Sequence, residues 1–222
     1  FKLCIGIKSE FLAICKAMLA TGIYPDFITV DGSEGGTGAA PIELTNSVGT
    51  PMRDGLSFVH SALQGIGARK HIRLIAAGKA ISAFHMLRML ALGADMINSA
   101  RAMMFALGCI QSRNCNTNKC PTGVATQDPA RYTHLNVKEK ARRVAQYHAT
   151  TIHALLELIA SAGLHDPEEA RPHHILRRAN GPDIKNYAQL YPCIECDCLL
   201  KDGHIPEVWQ SAWEDANPDR WN

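Results

Sequence analysis

The sequence predicts an α/β fold of parallel strands joined by helical crossovers. Three observations carry that expectation. Short apolar runs alternate four times with helix-patterned segments over the first hundred residues. Several of these runs are apolar along their whole length, as strands covered on both faces are. Each run also ends in small or polar residues, where parallel α/β folds carry their chemistry.

The elements follow in order. KLCIGI (Lys2–Ile7) is a first strand, and Ser9-Glu10 opens the helical pattern FLAICKAMLA. Gly22 and Pro25 break the chain before DFITVD (Asp26–Asp31), a second strand. Past a glycine-rich loop, LSFVHSALQGIG (Leu56–Gly67) reads as a helix and HIRLIAAG (His71–Gly78) as a strand. SAFHMLRMLALG (Ser82–Gly93) is the next helix, and ADMINSA (Ala94–Ala100) the fourth strand. The repeat implies right-handed crossovers, and fits either a barrel or an open doubly wound sheet.

After Pro129 the pattern changes. NVKEKARRVAQYHATTIHALLELIASAG (Asn136–Gly163) reads as one long amphipathic helix. PEEARPHHILRRA (Pro167–Ala179) reads as a short helix whose acidic start suits the helix dipole. The tail, with Trp209, Trp213 and Trp221 among prolines and acids, shows no clear period.

Composition narrows the class. With 46% hydrophobic and 20% charged residues in 222, this is an ordinary globular chain of one large domain or two small ones. A net charge of +2 suggests no nucleic-acid partner. No apolar run approaches the roughly 20 residues that span a bilayer. The opening FKLCIGIKSE lacks the parts of a secretory signal, which means little where the natural N-terminus lies outside these residues. Clustered cysteines favour a reducing compartment, so a cytoplasmic location is expected.

Four glycines fall within seven residues in DGSEGGTGAAP (Asp31–Pro41), directly after a strand. Such a loop lets backbone amides approach a ligand closely. It is neither a Walker A loop nor a G-x-G-x-x-G fingerprint, and a plain turn fits the residues as well. Small residues at Ala77-Gly78 and Ser99-Ala100-Arg101 free main-chain N–H groups at two further strand ends. In (β/α)8 barrels the phosphate site is frequently built after strands seven and eight. On that numbering KLCIGI is the fifth strand, and strands one to four are absent from these residues.

Eight cysteines are too few and too uneven for a disulfide scaffold. Cys4 and Cys15 sit in apolar segments and read as small hydrophobes. Cys109, Cys115 and Cys120 crowd into twelve polar residues, and Cys193, Cys196 and Cys198 form a second group. Clustering favours metal binding in a reducing compartment over bridging.

DGSEGGTGAAP, IAAGKAISAFHMLRMLALGAD and NSARAMMFALGCIQSRNCNTNKCPTGVATQDP together resemble the FMN-binding synthase domain of glutamate synthase. The likeness is greatest to short glutamate-synthase-like proteins without an amidotransferase, and it runs from Phe1 to about Leu190. It implies the C-terminal half, strands five to eight, of a (β/α)8 TIM-type barrel over residues 1–130. A mainly helical extension over 131–222 would follow. It implies FMN at the barrel mouth beside a 3Fe–4S cluster, and reductive amination of 2-oxoglutarate by ammonia to glutamate. Carried over by motif, Lys2 lies near the flavin ring, and Gly35, Gly36 and Thr37 border flavin and substrate. Gly78 with Lys79, and Ala100 with Arg101 and Ser99, hold the phosphate. Cys109, Cys115 and Cys120, spaced C-x5-C-x4-C, match the family's cluster ligands one for one. A proline after the last cysteine also occurs in bacterial ferredoxins, whereas zinc sites pair cysteines more closely.

The resemblance leaves ammonia supply to another domain or subunit, with glutamine the source if an amidotransferase is present. It leaves electron supply to ferredoxin or an NAD(P)H-oxidising subunit. Four strands cannot close a barrel, and an open half exposes two edges. We therefore expect a fragment of a longer protein, or a chain that pairs with another half. Rival readings are a flavin enzyme acting on another imine or carbonyl, and a non-catalytic piece that keeps the cysteine loop. Of the residues set aside, His173-His174 read as packing. Arg53-Asp54 reads as a mouth group or an ion pair, and Asp31 and Glu34 as carboxylates that serve loop amides or act in proton transfer. Cys193, Cys196 and Cys198 could ligate a second metal, but their separations are too short for four-coordinate zinc by themselves and the resemblance does not need them.

Overall fold

Four parallel strands line up in the order in which they occur along the chain. In the computed structural model, which describes residues 1–32, 40–44, 48–179, 181–201 and 203–220, these are β1 (Lys2–Leu3), β2 (Phe27–Asp31), β3 (Arg73–Ala77) and β4 (Met96–Asn98). Register pairs Lys2 with Thr29, Ile28 with Leu74, and Ile75 with Met96. A doubly wound sheet reverses its strand order at a switch point. Here the described order runs one way throughout, which is consistent with a segment of a barrel.

The outer strands are shorter than their apolar runs. KLCIGI contributes only Lys2–Leu3 to the sheet, and ADMINSA only Met96–Asn98. Among the described residues each has a neighbour on one side only, so half of its backbone groups join no ladder there. The central strands fill their runs and bury Ile28, Val30, Leu74 and Ala76.

Helices follow each strand: α1 (Lys8–Thr21), α2 (Met52–Gly65), α3 (Ala83–Ala91) and α4 (Arg101–Leu107). The α1 helix buries Phe11, Leu12, Cys15 and Met18. Burial holds the Cys15 thiol far above its ordinary pKa, so it packs as a hydrophobe. The α2 helix starts a turn earlier than its apolar period indicates, because Pro51 presets the extended entry and Met52 packs on Gly32. Ser82 and His85 form a reciprocal capping box at the start of α3.

At the N-terminal end of the sheet a polar network closes the structure. Arg69 Nε donates to His60 Nδ1 at 3.0 Å, Nη1 to Ile72 O at 2.9 Å, and Nη2 to Gly93 O at 2.7 Å and Asp95 Oδ2 at 2.9 Å. Asp95 Oδ2 also accepts from Leu74 N. Burial first, and then the nearby Arg69 charge, push the His60 imidazole down to about 4.

The extension runs through α5 (Pro129–Tyr132) into α6 (Val137–Ser161), capped by Asn136, whose Oδ1 accepts from Glu139 N. It packs on α3 and α4. Thr151, Leu155 and Ile159 are its buried residues.

Two expectations fail beyond α6. The helix expected over 167–179 is instead two 3-10 turns, Pro167–Glu169 and Pro172–His174, followed by β5 (Leu176–Arg178). β5 pairs antiparallel with β6 (Ile184–Asn186). Pro172 lacks an N–H and drives Arg171 into extended backbone, φ −129° and ψ 158°, which no helix continues through. The extension is therefore less helical than expected at this point.

Within residues 203–220, where the sequence shows no clear period, a helix forms. After α7 (Tyr187–Leu190), α8 (Glu207–Asp215) lies along α1. Trp209 stacks on Phe58 at 5.0 Å, and Lys16 sits 4.8 Å over Trp213 while its Nζ donates to Trp213 O and Ala216 O. One contiguous core includes Ile5 and Leu56 with Leu155, Tyr187 and Leu199. Among the described residues, no helix is long and apolar enough to cross a membrane.

Candidate functional site

The C-terminal ends of the four strands bring several of the expected residues together. Lys2 Nζ pairs with Asp31 Oδ2 at 2.6 Å, joining the first strand to the end of the second. Asp31 thus serves a side chain rather than only the loop amides. Gly32 N donates to Ala77 O at 2.7 Å, which carries β2 toward β3 past their last pair. Ser99 Oγ donates to Ala80 O at 2.7 Å and ties the end of β4 to the turn after β3.

Close approach explains the small residues. A Cβ on Gly32 would lie 1.9 Å from Met52 Cβ, so no other residue fits there. Gly78 has φ +138°, and a Cβ on it would meet the Gly32 backbone at 3.1–3.3 Å. Lys79 follows in left-handed backbone, φ 55°, uncommon for a residue with a side chain. Ala100 precedes α4, and no side chain caps that helix start. Uncapped N–H groups and a permissive glycine turn suit an anion such as a phosphate. Gly35, Gly36, Thr37 and Glu34 lie outside the described residues.

Directly after α4, Gly108 leads into the cysteine loop. Cys109 and Cys115 are partly buried and Cys120 is buried. The loop is built against backbone preference, with Gln111, Arg113 and Asn118 at φ 55°, 57° and 61°. Side chains hold it there. Asn118 Oδ1 accepts from Thr126 Oγ1 at 2.9 Å and from Gln127 N at 2.6 Å, and Thr126 Oγ1 also donates to Asn118 O. Asp128 caps α5 through Ala130 N and pairs with Arg131.

Cys120 has the environment of a thiolate. Burial pushes its thiol up, but the Thr122 hydroxyl and the backbone N–H groups of Ala125, Thr122 and Val124 outweigh that and bring it down to about 7. Donors converging on sulfur fit a cysteine that ligates metal, whose sulfur carries negative charge. Thr122 and the three amides are the site residues that sequence reasoning missed, although Thr122 stands two places after Cys120.

Among the described residues, no group of three or more His, Cys, Asp or Glu side chains converges on a point where one ion would sit. A trinuclear cluster asks for something different, because each of its thiolates binds a different iron. Cys193 Sγ donates instead to Gln64 Oε1 and accepts from Ser61 Oγ, while Cys198 is buried. Arg53 Nη1 donates to Tyr187 OH at 3.2 Å, which pins the start of α2 to the extension. The His173 and His174 rings lie 4.1 Å apart in their 3-10 turn, and His174 Nδ1 accepts from Arg171 N.

Comparison with known proteins bears on this arrangement. A family model described as a conserved region in glutamate synthase matches residues 2–165. The glutamate synthase large subunit-like protein YerD of Bacillus subtilis is 41% identical over 189 residues, covering 85% of this chain and 36% of its own length. An archaeal glutamate synthase [NADPH] of Methanocaldococcus jannaschii is 36% identical over 146 residues, covering 66% of this chain and 29% of its own. The chloroplastic ferredoxin-dependent glutamate synthase of Oryza sativa subsp. japonica is 40% identical over 102 residues, 46% of this chain and 6% of its own. The chain spans about a third of the length of the first two relatives.

Proposed function

The chain belongs to the glutamate synthase family, and on that premise we propose that it is the FMN- and cluster-bearing part of an enzyme that reductively aminates 2-oxoglutarate. Ammonium, 2-oxoglutarate, two electrons and two protons yield glutamate and water. The observation that carries this reading is the Cys120 sulfur, held by hydroxyl and amide donors in a loop that begins one short helix beyond the strand-end turns.

Bound FMN supplies hydride to the substrate, and a 3Fe–4S cluster supplies electrons one at a time. The residues of this chain do the rest. Gly78 with Lys79, and Ala100 with Arg101, hold the phosphate, and Ser99 fixes the spacing of the two turns by its bond to Ala80. Lys2, oriented by Asp31, sets positive charge at the strand ends, where a reduced flavin ring carries negative charge. Gly35, Gly36 and Thr37 border the ring and substrate, and Cys109, Cys115 and Cys120 ligate iron.

Residues 1–130 form half of a (β/α)8 barrel in this reading, and 131–222 brace it from outside. The remaining strands come from a segment outside residues 1–222 or from another polypeptide. Ammonia comes free or from glutamine through another domain or subunit. Ferredoxin or an NAD(P)H-oxidising subunit supplies electrons, and the enzyme works in the reducing cytoplasm, where free thiols persist. Anaerobic purification of the complete gene product tests the reading. A flavin absorption spectrum, a low-temperature EPR signal from a three-iron cluster, and glutamate formed from 2-oxoglutarate with ammonium or glutamine are expected. Zinc in place of iron, or no flavin, would overturn it.

A further inference from the structure

The turn that follows β3 is held from two sides. Gly78 and Lys79 pass through it at positive φ, and the next two carbonyls are both engaged. Ala80 O accepts from Ser99 Oγ at 2.7 Å, and Ile81 O accepts from Tyr147 OH at 2.5 Å. Ser82 N then donates to His85 Nδ1 at 3.3 Å, so the peptide after Ile81 is tied at both ends. The preceding donors are treated differently. Ala80, 3% exposed, and Ile81 carry N–H groups that meet no acceptor among the described residues. A buried N–H is rarely left unpaired. Amides left over beside carbonyls that are bonded elsewhere are what an anion needs, since a carbonyl oxygen facing it would repel it.

Ser99 belongs to the strand segment, but Tyr147 comes from the extension, 66 residues beyond the carbonyl it serves. On α6 it heads a row spaced four apart, Tyr147, Thr151, Leu155 and Ile159, of which the last three are buried. Thr151 Oγ1 donates to Tyr147 O at 2.8 Å, and α6 packs on α3 and α4. Seven residues before Tyr147, about 10 Å along the helix axis, Lys140 Nζ lies 3.6 Å from where a Cβ on Gly108 would sit. One helix therefore touches both the turn after β3 and the residue before Cys109.

Resting on the reading that this turn holds the FMN phosphate, we propose that Tyr147 is a positioning residue for that phosphate. Its hydroxyl fixes the Ile81 carbonyl on the α6 side, as Ser99 fixes that of Ala80, and the Ala80 and Ile81 amides remain for phosphate oxygens. Tyr147 does not touch the flavin; it acts through the turn. Without the hydroxyl the turn samples more conformations, and flavin binding then bears the cost of ordering it. The phosphate alone feels this, because the turn is where the phosphate sits. Through α6, the same contact keeps the turn in register with the start of the cysteine loop.

The test uses the complete gene product, stripped of flavin and titrated with FMN and with riboflavin, which has the same ring and no phosphate. Tyr147→Phe is expected to weaken FMN binding about threefold to tenfold and to leave riboflavin binding unchanged. Thr151→Ala, one turn along the same helix, is the control. It should lower the urea midpoint while both flavins bind as in wild type. Where riboflavin binds too weakly to titrate, the FMN affinities of these two variants decide. In the wild-type protein FMN should slow amide hydrogen exchange at residues 79–82 and in α6 around Tyr147, and riboflavin should not. That measurement decides should Tyr147→Phe fail to fold.

Unchanged FMN affinity in Tyr147→Phe, an equal loss of FMN and riboflavin, an equal FMN loss in Thr151→Ala, or no FMN-dependent protection at 79–82 and around Tyr147 would overturn the proposal. A wild-type protein that binds no flavin would overturn the FMN reading itself, and this proposal with it. Wild-type FMN binding that is indifferent to Tyr147→Phe would leave that reading standing and remove only the role of Tyr147.

Discussion

The two ends of the sheet are built on opposite principles. At the N-terminal end, Arg69 directs four hydrogen bonds to His60, Ile72, Gly93 and Asp95, and Asp95 returns one to Leu74 N. These bonds tie the loop between α2 and β3 to α2, to the turn before β4 and to the second residue of β3. At the C-terminal end, the ties include Lys2 to Asp31, Gly32 N to Ala77 O and Ser99 to Ala80. Four of the five left-handed non-glycine residues among those described lie on that side, at Lys79, Gln111, Arg113 and Asn118, and the fifth, Asp197, sits beside the end of α2. One end holds the sheet together, and the other collects the left-handed turns, where the proposed ligands would bind. Residues that satisfy each other fully have nothing left for a substrate, so stability and chemistry separate along the strands.

Mutation can break this contrast. Cys120→Ala is expected to have the largest effect, abolishing the cluster EPR signal and donor-driven glutamate formation while the unfolding midpoint of the apoprotein moves little. A large loss of apoprotein stability would mean that the loop is structural, and would blur the two ends. Arg69→Met should do the opposite. It removes the partner of the Gly93 carbonyl and one of the partners of Asp95, which keeps Leu74 N and Arg73, and should cost about 1–3 kcal/mol in urea unfolding. Flavin content of the folded fraction should be unchanged.

Gly78→Ala lies between these extremes. Backbone at φ +138°, tight against Gly32, admits a Cβ only with strain, at about 1–3 kcal/mol. Here flavin affinity should fall along with stability, because the same turn carries both.

Acid sharpens the N-terminal side alone. His60 stays neutral in the fold down to about 4, whereas in the unfolded chain it takes its proton near 6.5. Between these values the unfolded state binds more protons. The stability His60 contributes is therefore complete above pH 6.5 and lost as pH falls toward 4, on the order of 2 kcal/mol. Urea midpoints across that window should slope in wild type, and less so in His60→Gln.

Much of this was legible in the residues, and particular cases show why. The alternation of strands and helices is a local period, and Ser82, Asn136 and Gly163 mark helix ends through bonds made within a few residues. The cysteine spacing is local too. The hairpin at 176–186 was hidden because its acidic start looks helical, although Pro172 was the evidence against a helix. The α8 helix announced itself only in Trp209 and Trp213, one turn apart, and needed α1 and Phe58 to give it a face to bury.

The sequence by itself determined the α/β class, the four strand-and-helix units, the bend after each strand and the cysteine loop with its proline. Each depends on side-chain period or on backbone preference over a handful of residues. Tertiary structure decided the one-way strand order, the Lys2–Asp31 pair, the Arg69–His60–Asp95 network, the link from Arg53 to Tyr187, and the donors around Cys120. Most of these join residues far apart along the chain. Their geometry exists only once packing has brought distant segments together, and no local pattern encodes which distant partner a polar group will meet.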